Sequence, residues 1–342
     1  VHAYEDDGLD FVRRLDGMFA FALWDRTRRR LVLGRDRFGK KPLYYMRDGR
    51  RLAFASEMKA LLLVPGARRD LDPLAVSQYF TFGYVPAPRS ILAGVAKLGA
   101  GQVLTFADGD LAVRRYWQLD FTPRCGDDAE TAARRVRDLA LEAVRKRLIS
   151  EVPLGAFLSG GVDSSIVVAA MSQVGTERVK TFSIGFEEES HSELDYARLI
   201  ATRYATDHHE FIVRPDLLDV LPRLAWAFDE PFADASMVPT YYVSKLARQH
   251  VTVALSGDGG DELYGGYRRY TSALEDMRLA RRLGPLRAVA PVLGAALPDG
   301  MRGKNRLSSL AGDPAAHYVE LASIFPSPFR SRLLDPRFHM PD

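Results

Sequence analysis

The residues most able to do chemistry fall in two short runs. The first is Ser159-Gly160-Gly161-Val162-Asp163-Ser164-Ser165, which follows the apolar stretch Val152-Pro153-Leu154-Gly155-Ala156-Phe157-Leu158 and precedes a second apolar run, residues 166–171. An apolar segment of that length predicts a buried strand, and Asp163 with the two serines predicts the opening of a helix. Glycines let a backbone approach a phosphate closely. The unpaired N–H groups of a first helical turn, aided by serine hydroxyls, then attract its charge. The kinase and GTPase P-loop is excluded, because it needs Gly-x-x-x-x-Gly-Lys-Ser/Thr and this loop is shorter and has no lysine. A capped corner that binds no ligand would need one capping residue, not Ser-Gly-Gly followed by Asp-Ser-Ser.

The second run is Ser256-Gly257-Asp258-Gly259-Gly260-Asp261-Glu262, after the apolar residues 251–255. Two aspartates and a glutamate within five residues repel one another unless a cation or a proton joins them. Magnesium needs few protein carboxylates, since it keeps waters and takes further oxygens from phosphate. Asp163 and Asp261 are therefore assigned to a Mg2+ ion shared with phosphate oxygens, which the resemblance given below implies are those of a pyrophosphate.

These runs must be positioned by strands and helices. Residues 179–184, 209–213 and 251–255 predict strands, and residues 194–204, 216–228 and 239–249 predict helices; the alternation implies a doubly wound parallel sheet. In such a sheet ligands lie beyond the carboxyl ends of the strands, where residues 159–165, 185–189 and 256–262 all fall. Residues 130–148 predict a helix with an apolar stripe of Ala132, Val136, Leu139, Ala140, Ala143 and Val144. Beyond Tyr270 the pattern is helical, without a strand.

The first third of the chain predicts mostly β structure. Residues 17–24 and 31–35 form one hairpin. Residues 42–46 and 51–55 flank Asp48-Gly49 in a second, and residues 101–106 and 111–117 flank residues 107–110 in a third. Ser56-Glu57 is expected to cap a short helix through Leu63, followed by a Pro/Gly-rich passage. Residues 119–128, with Pro123, Gly126 and three aspartates, make the best linker.

At 342 residues, two domains are expected. Lys and Arg exceed Asp and Glu by only 47 to 44, too even a balance to imply a nucleic acid or a membrane surface as partner. A lone Cys125 rules out a disulfide framework and fits a reducing cytoplasm. Without a flanking histidine it reads as an inert loop thiol.

Ser-Gly-Gly-x-Asp-Ser after a buried strand resembles the pyrophosphate loop of the ATP pyrophosphatases. Together with Thr181-Phe182-Ser183-Ile184-Gly185-Phe186, Asp229-Glu230-Pro231-Phe232-Ala233-Asp234 and Leu255-Ser256-Gly257-Asp258-Gly259-Gly260-Asp261-Glu262-Leu263-Tyr264-Gly265-Gly266-Tyr267, it is similar to the glutamine-hydrolysing asparagine synthetases. The first third agrees: Leu15-Asp16-Gly17-Met18-Phe19-Ala20-Phe21, Arg35-Asp36-Arg37-Phe38-Gly39-Lys40-Lys41-Pro42 and Phe54-Ala55-Ser56-Glu57-Met58-Lys59 resemble the later strands of that family's N-terminal-nucleophile glutaminase domain.

The resemblance implies a partial amidotransferase domain over residues 1–118, a linker over 119–129 and an ATP-binding synthetase domain over 130–342. It implies that Leu158 and Ile184 meet adenine through backbone groups. Ser159, Gly160, Gly161, Asp163, Ser164 and Ser165 would hold the phosphates, with Ser256 and Gly257 reaching the nucleotide from the opposite strand end. Asp258 falls where the family has an acidic catalytic residue tied to the β-aspartyl-AMP intermediate and to handling of ammonia. Asp234 and Ser236 are candidates to hold the amino-acid substrate, with plain capping as the alternative. The implied ligands are ATP, Mg2+, aspartate, and glutamine or ammonia. A homodimer stays open.

The chain also departs from the family. The family's glutaminase nucleophile is an N-terminal cysteine, whereas this chain starts with Val1 and lacks the glutamine-binding segments that precede Leu15 in the family, and the family's lysine near the departing pyrophosphate falls past Asp342. The chain therefore reads as a piece lacking both ends and is expected to be inactive alone. Asp258 is one methylene shorter than the glutamate usual in asparagine-forming members. That keeps two alternatives in view, a paralogue acting on a β-lactam or polysaccharide carboxylate and a non-catalytic ATP-binding protein.

Overall fold

Successive strand residues point to opposite faces of a sheet, so apolar pairs such as Val32-Leu33 and Val103-Leu104 require cover on both sides. That cover is present in the structure, a computed structural model that describes residues 1–122, 125–186, 193–214, 216–298, 301 and 303–338. The chain divides into two units. The first comprises Val1–Pro123, Ala225–Ala233 and Gly284–Asp342, and the second comprises Arg124–Leu224 and Asp234–Leu283.

The first unit opens with a short helix, α1 (His2–Asp7). Strands β1 (Ala20–Asp25), β2 (Arg30–Arg35), β3 (Tyr44–Asp48), β4 (Arg51–Ala55), β5 (Val95–Lys97), β6 (Gln102–Ala107) and β7 (Asp110–Arg115) then make two antiparallel sheets, ordered β1-β2-β6-β7 and β4-β3-β5. Leu33 and Leu104 pack with Leu43 and Leu98 on one face of the larger sheet. Val32 and Val103 pack with Tyr4, Phe11 and Val12 on the other. The three expected hairpins form with the expected pairings.

The run Arg35-Asp36 is a clasp. The Arg35 guanidinium donates to the carbonyls of Gly39, Lys41 and Leu98, and the buried Asp36 carboxylate accepts from the N–H groups of Phe19, Phe38, Lys40 and Lys41.

Two local expectations need correction. Helix α2 (Met58–Leu61) is not capped by Ser56-Glu57: the Glu57 carboxylate is drawn to Lys59 at 2.6 Å, and the Met58 N–H donates instead to Asp229 at 2.7 Å. The Pro/Gly-rich passage contains a regular helix, α3 (Pro73–Phe82), with Pro73 in its first turn and the Asp72 carboxylate accepting from the N–H groups of Leu74 and Ala75.

In the second unit, α4 (Ala129–Arg147), β8 (Leu154–Phe157), α5 (Val162–Val174), β9 (Lys180–Phe186), α6 (Leu194–Arg203) and β10 (Asp207–Val213) follow in order. Next come α7 (Leu217–Phe228), whose residues from Ala225 on are counted with the first unit, α8 (Met237–Ala247) and β11 (Val253–Leu255). The four strands form one parallel sheet in the order β10-β9-β8-β11. Val168, Met171, Ala197 and Ala201 from α5 and α6 pack on Ala156 and Leu158 to make its core.

The expected stripe of α4 is only partly inward. Val144 is buried with Leu141 and Leu148 against it, whereas Val136 and Leu139 are 39% and 63% exposed, because only the helix's C-terminal half lies on the core. Helices α9 (Gly260–Tyr264) and α10 (Arg268–Leu283) follow, and the described residues beyond them contain helices and no strand. Cys125 is an exposed free thiol. Among the described residues, no helix is long and apolar enough to cross a membrane.

Candidate active site

The apolar strand β8 runs into Leu158, which is buried and donates its N–H to the Phe182 carbonyl at 2.9 Å, one step past the paired residues of the two strands. The chain then turns through Ser159-Gly160-Gly161 into α5. Gly160 has φ +83°, and a Cβ there would lie 2.5 Å from the Cβ of Tyr196, so only glycine fits.

The loop is held by its own hydroxyls. The Ser159 and Ser164 oxygens are 3.0 Å apart, and Gly161 N–H donates to Ser159 Oγ at 3.2 Å. Ser164 and Ser165 both donate to the Gly161 carbonyl. The serines are thus committed to loop shape. The charge-seeking groups that remain are the first-turn N–H groups of α5, which lack intrahelical acceptors.

The second glycine-rich loop packs against this turn. A Cβ at Gly257 would lie 2.6 Å from Ser164 N, and one at Gly260 would lie 2.3 Å from the Asp163 carboxylate. A Cβ at Gly266 would meet an Asp261 oxygen at 1.8 Å. The glycines therefore serve as recesses that seat the two carboxylates. Asp258 is exposed and accepts from Ser256 Oγ at 2.8 Å.

These loops enclose a cavity of about 710 Å³ at the carboxyl edge of the sheet. Of the residues singled out in the sequence, Leu158, Ser159, Gly161, Asp163, Ser164, Ile184, Ser256, Gly257, Asp258 and Asp261 line it. Gly160 and Ser165 shape the loop without lining the cavity, and neither Asp234 nor Ser236 reaches it. Asp234 instead forms a tight turn, accepting from Ser236 N–H at 2.8 Å, and the Ser236 hydroxyl does not cap α8. Of the third strand-end turn, Gly185 and Phe186 close β9, and residues 187–189 lie outside the described residues.

Glu262 and Tyr267 are among the wall residues not singled out as site residues. The Tyr267 hydroxyl donates to Glu262 at 2.7 Å, and that bond to a carboxylate pushes the phenol up to about 12. Arg269 lies 4.3 Å over the Tyr267 ring. Glu262 belongs to the acidic run already noted, so its spacing was a usable signal. Tyr267 had none beyond its place in the motif.

The donor set fits a magnesium ion. Asp163 and Asp261 line one cavity, and among the described residues no lysine or arginine pairs with either. Two carboxylates are too few for a cage, and among the described residues no group of three or more His, Cys, Asp or Glu could hold a metal. Magnesium completed by phosphate oxygens is the case that needs no more.

A parallel sheet with a glycine-rich loop at its carboxyl edge, faced by a second acidic loop, defines an α/β domain of the ATP pyrophosphatase type. The chain belongs to the asparagine synthase family, whose profile matches residues 135–332, and a glutamine amidotransferase domain profile matches residues 1–117.

Among curated relatives, asparagine synthetase (glutamine-hydrolyzing) 1 of Bacillus subtilis (strain 168) is 37% identical over 325 residues, covering 94% of this chain and 51% of the relative. Putative asparagine synthetase (glutamine-hydrolyzing) 2 of Methanocaldococcus jannaschii is 40% identical over 271 residues, covering 77% and 52%. A putative asparagine synthetase (glutamine-hydrolyzing) of Mycobacterium tuberculosis (strain ATCC 25618 / H37Rv) is 38% identical, covering 89% and 48%. The chain spans about half the length of these relatives.

Proposed function

We propose that this chain is the ATP-using part of a cytoplasmic enzyme that converts aspartate to asparagine with ammonia drawn from glutamine. In the first step a side-chain carboxylate oxygen of aspartate attacks the α-phosphorus of ATP, the bond to the β-phosphate oxygen breaks, and pyrophosphate leaves. In the second, ammonia attacks the acyl carbon of β-aspartyl-AMP, the carbon–oxygen bond breaks, AMP leaves, and the nitrogen gives up a proton.

The reading rests on one observation. Asp163 and Asp261, which have no cationic partner among the described residues, line a single cavity beside the glycine-rich loop that enters α5. The α5 N-terminus is suited to hold the phosphate chain, the loop serines fix its shape, and the exposed Asp258 is suited to take the ammonia proton. A magnesium ion held by Asp163 and Asp261 would neutralise charge on the departing pyrophosphate.

The test is exchange of labelled pyrophosphate into ATP by the full-length protein. Exchange that depends on aspartate is expected. Exchange without aspartate, or only with another carboxylate, overturns the assignment of the acceptor.

A further inference from the structure

In a strand, the N–H and C=O of one residue point to the same side, and alternate residues address alternate neighbours. Because the Phe182 carbonyl accepts from Leu158 N–H, Phe182 and hence Ile184 direct their peptide groups toward β8. Continuing the parallel ladder would send the Ile184 N–H to the Leu158 carbonyl. That bond is not made: among the described residues, no backbone hydrogen bond joins Ile184 to Leu158. The Leu158 carbonyl is taken instead by the hydroxyl of Ser183, which is buried and 4% exposed. The side chain substitutes for one rung, and the Ile184 N–H and C=O are left facing the cavity that Ile184 lines.

An unpaired peptide group inside a cavity is costly unless something binds it. The Ile184 pair offers one donor and one acceptor side by side. Adenine presents the complement, an acceptor at N1 beside the N6 amino donor. Guanine presents a donor at N1 beside the O6 acceptor, so both of its groups would meet their like.

We propose that Ser183 is a positioning residue for nucleotide choice: by occupying the Leu158 carbonyl it keeps the sheet from closing over Ile184, and so preserves an adenine-reading edge. This rests on the nucleotide reading of the cavity and adds a residue that does not itself touch the phosphates.

The test uses calorimetric titration of the full-length protein with ATP, GTP, adenosine and magnesium pyrophosphate. In Ser183→Ala the freed carbonyl is expected to pair with Ile184. Affinity for ATP and adenosine should fall roughly tenfold, the preference for ATP over GTP should shrink, and pyrophosphate affinity should stay within about twofold. Ser183→Thr, which keeps the hydroxyl, should restore adenosine binding. Unchanged adenosine affinity in Ser183→Ala overturns the proposal. So does a parallel loss of pyrophosphate affinity, which would mark a merely structural role. Failure of the unsubstituted protein to bind ATP would defeat the nucleotide reading itself, and the wild-type titration separates that outcome from the others.

Discussion

In the proposed function Asp163 and Asp258 serve different ends of the same ligand, so their neutral variants should separate. Asp163→Asn keeps the shape that rests on Gly260 but removes the charge, so magnesium-dependent ATP binding should be lost while the circular dichroism stays that of the folded chain. Asp258→Asn should spare ATP affinity and lower turnover in the full-length enzyme by about 100- to 10,000-fold, as loss of general acid-base help does. A fall of less than about tenfold in steady-state rate would reduce Asp258 to a partner of Ser256.

A third residue sets a pH dependence away from the cavity. His208 is held by Thr181 at 2.8 Å from its Nδ1, with Glu210 3.3 Å from its Nε2 and Arg198 and His209 nearby. Burial pushes its imidazole down, outweighing Glu210. The fold therefore holds His208 neutral, and its contribution is present above the ordinary imidazole value of about 6.5 and lost as pH falls below it. The melting temperature should drop between about pH 7.5 and 5.5, and less so in His208→Gln.

At the scale of elements, what was legible followed from hydrogen-bond geometry that is local in sequence. Hairpins around Asp48-Gly49 and Asp108-Gly109, and the alternation of strands and helices after Asp128, could be read because the turn residues themselves dictate the backbone. The helix from Pro73 was hidden by the prolines and glycines around it, although Asp72-Pro73 is itself a start signal. The cap of α2 was illegible, since Asp229 lies far along the chain. So was the outward half of the α4 stripe, because periodicity reports a face and not what covers it. In the cavity, the two loops could be read from their glycines and carboxylates. That Ser164 and Ser165 bond inward depends on a turn that only coordinates reveal.

The tight seat between the loops yields its own prediction. Gly257→Ala would drive a methyl against Ser164 N and the Asp163 carbonyl carbon, both backbone atoms that cannot swing aside. It should cost about 1–3 kcal/mol in denaturant unfolding and weaken ATP binding.

Over the molecule as a whole, ligand and fold are linked. Mg-ATP at about one hundred times its Kd should add about 2.7 kcal/mol to stability, seen as a rise in melting temperature that Asp163→Asn abolishes. The near balance of 47 basic and 44 acidic residues argues against polyanion binding as the source of such a rise.

Residues Ala225–Ala233 are counted with the first unit, where Glu230 pairs with Lys97 and accepts from the Ile91 N–H across 139 residues of sequence. On a ribosome adding about 5–20 residues per second, Lys97 would wait roughly 7 to 27 seconds for that partner. A cation buried without its counterion is strongly disfavoured, so the nascent first unit has a built-in pause. Chains stalled before residue 225 should be cut by protease around Lys97, and chains long enough to expose residue 233 should resist, which places closure of the first unit around Lys97 after synthesis of the loop at residues 159–165.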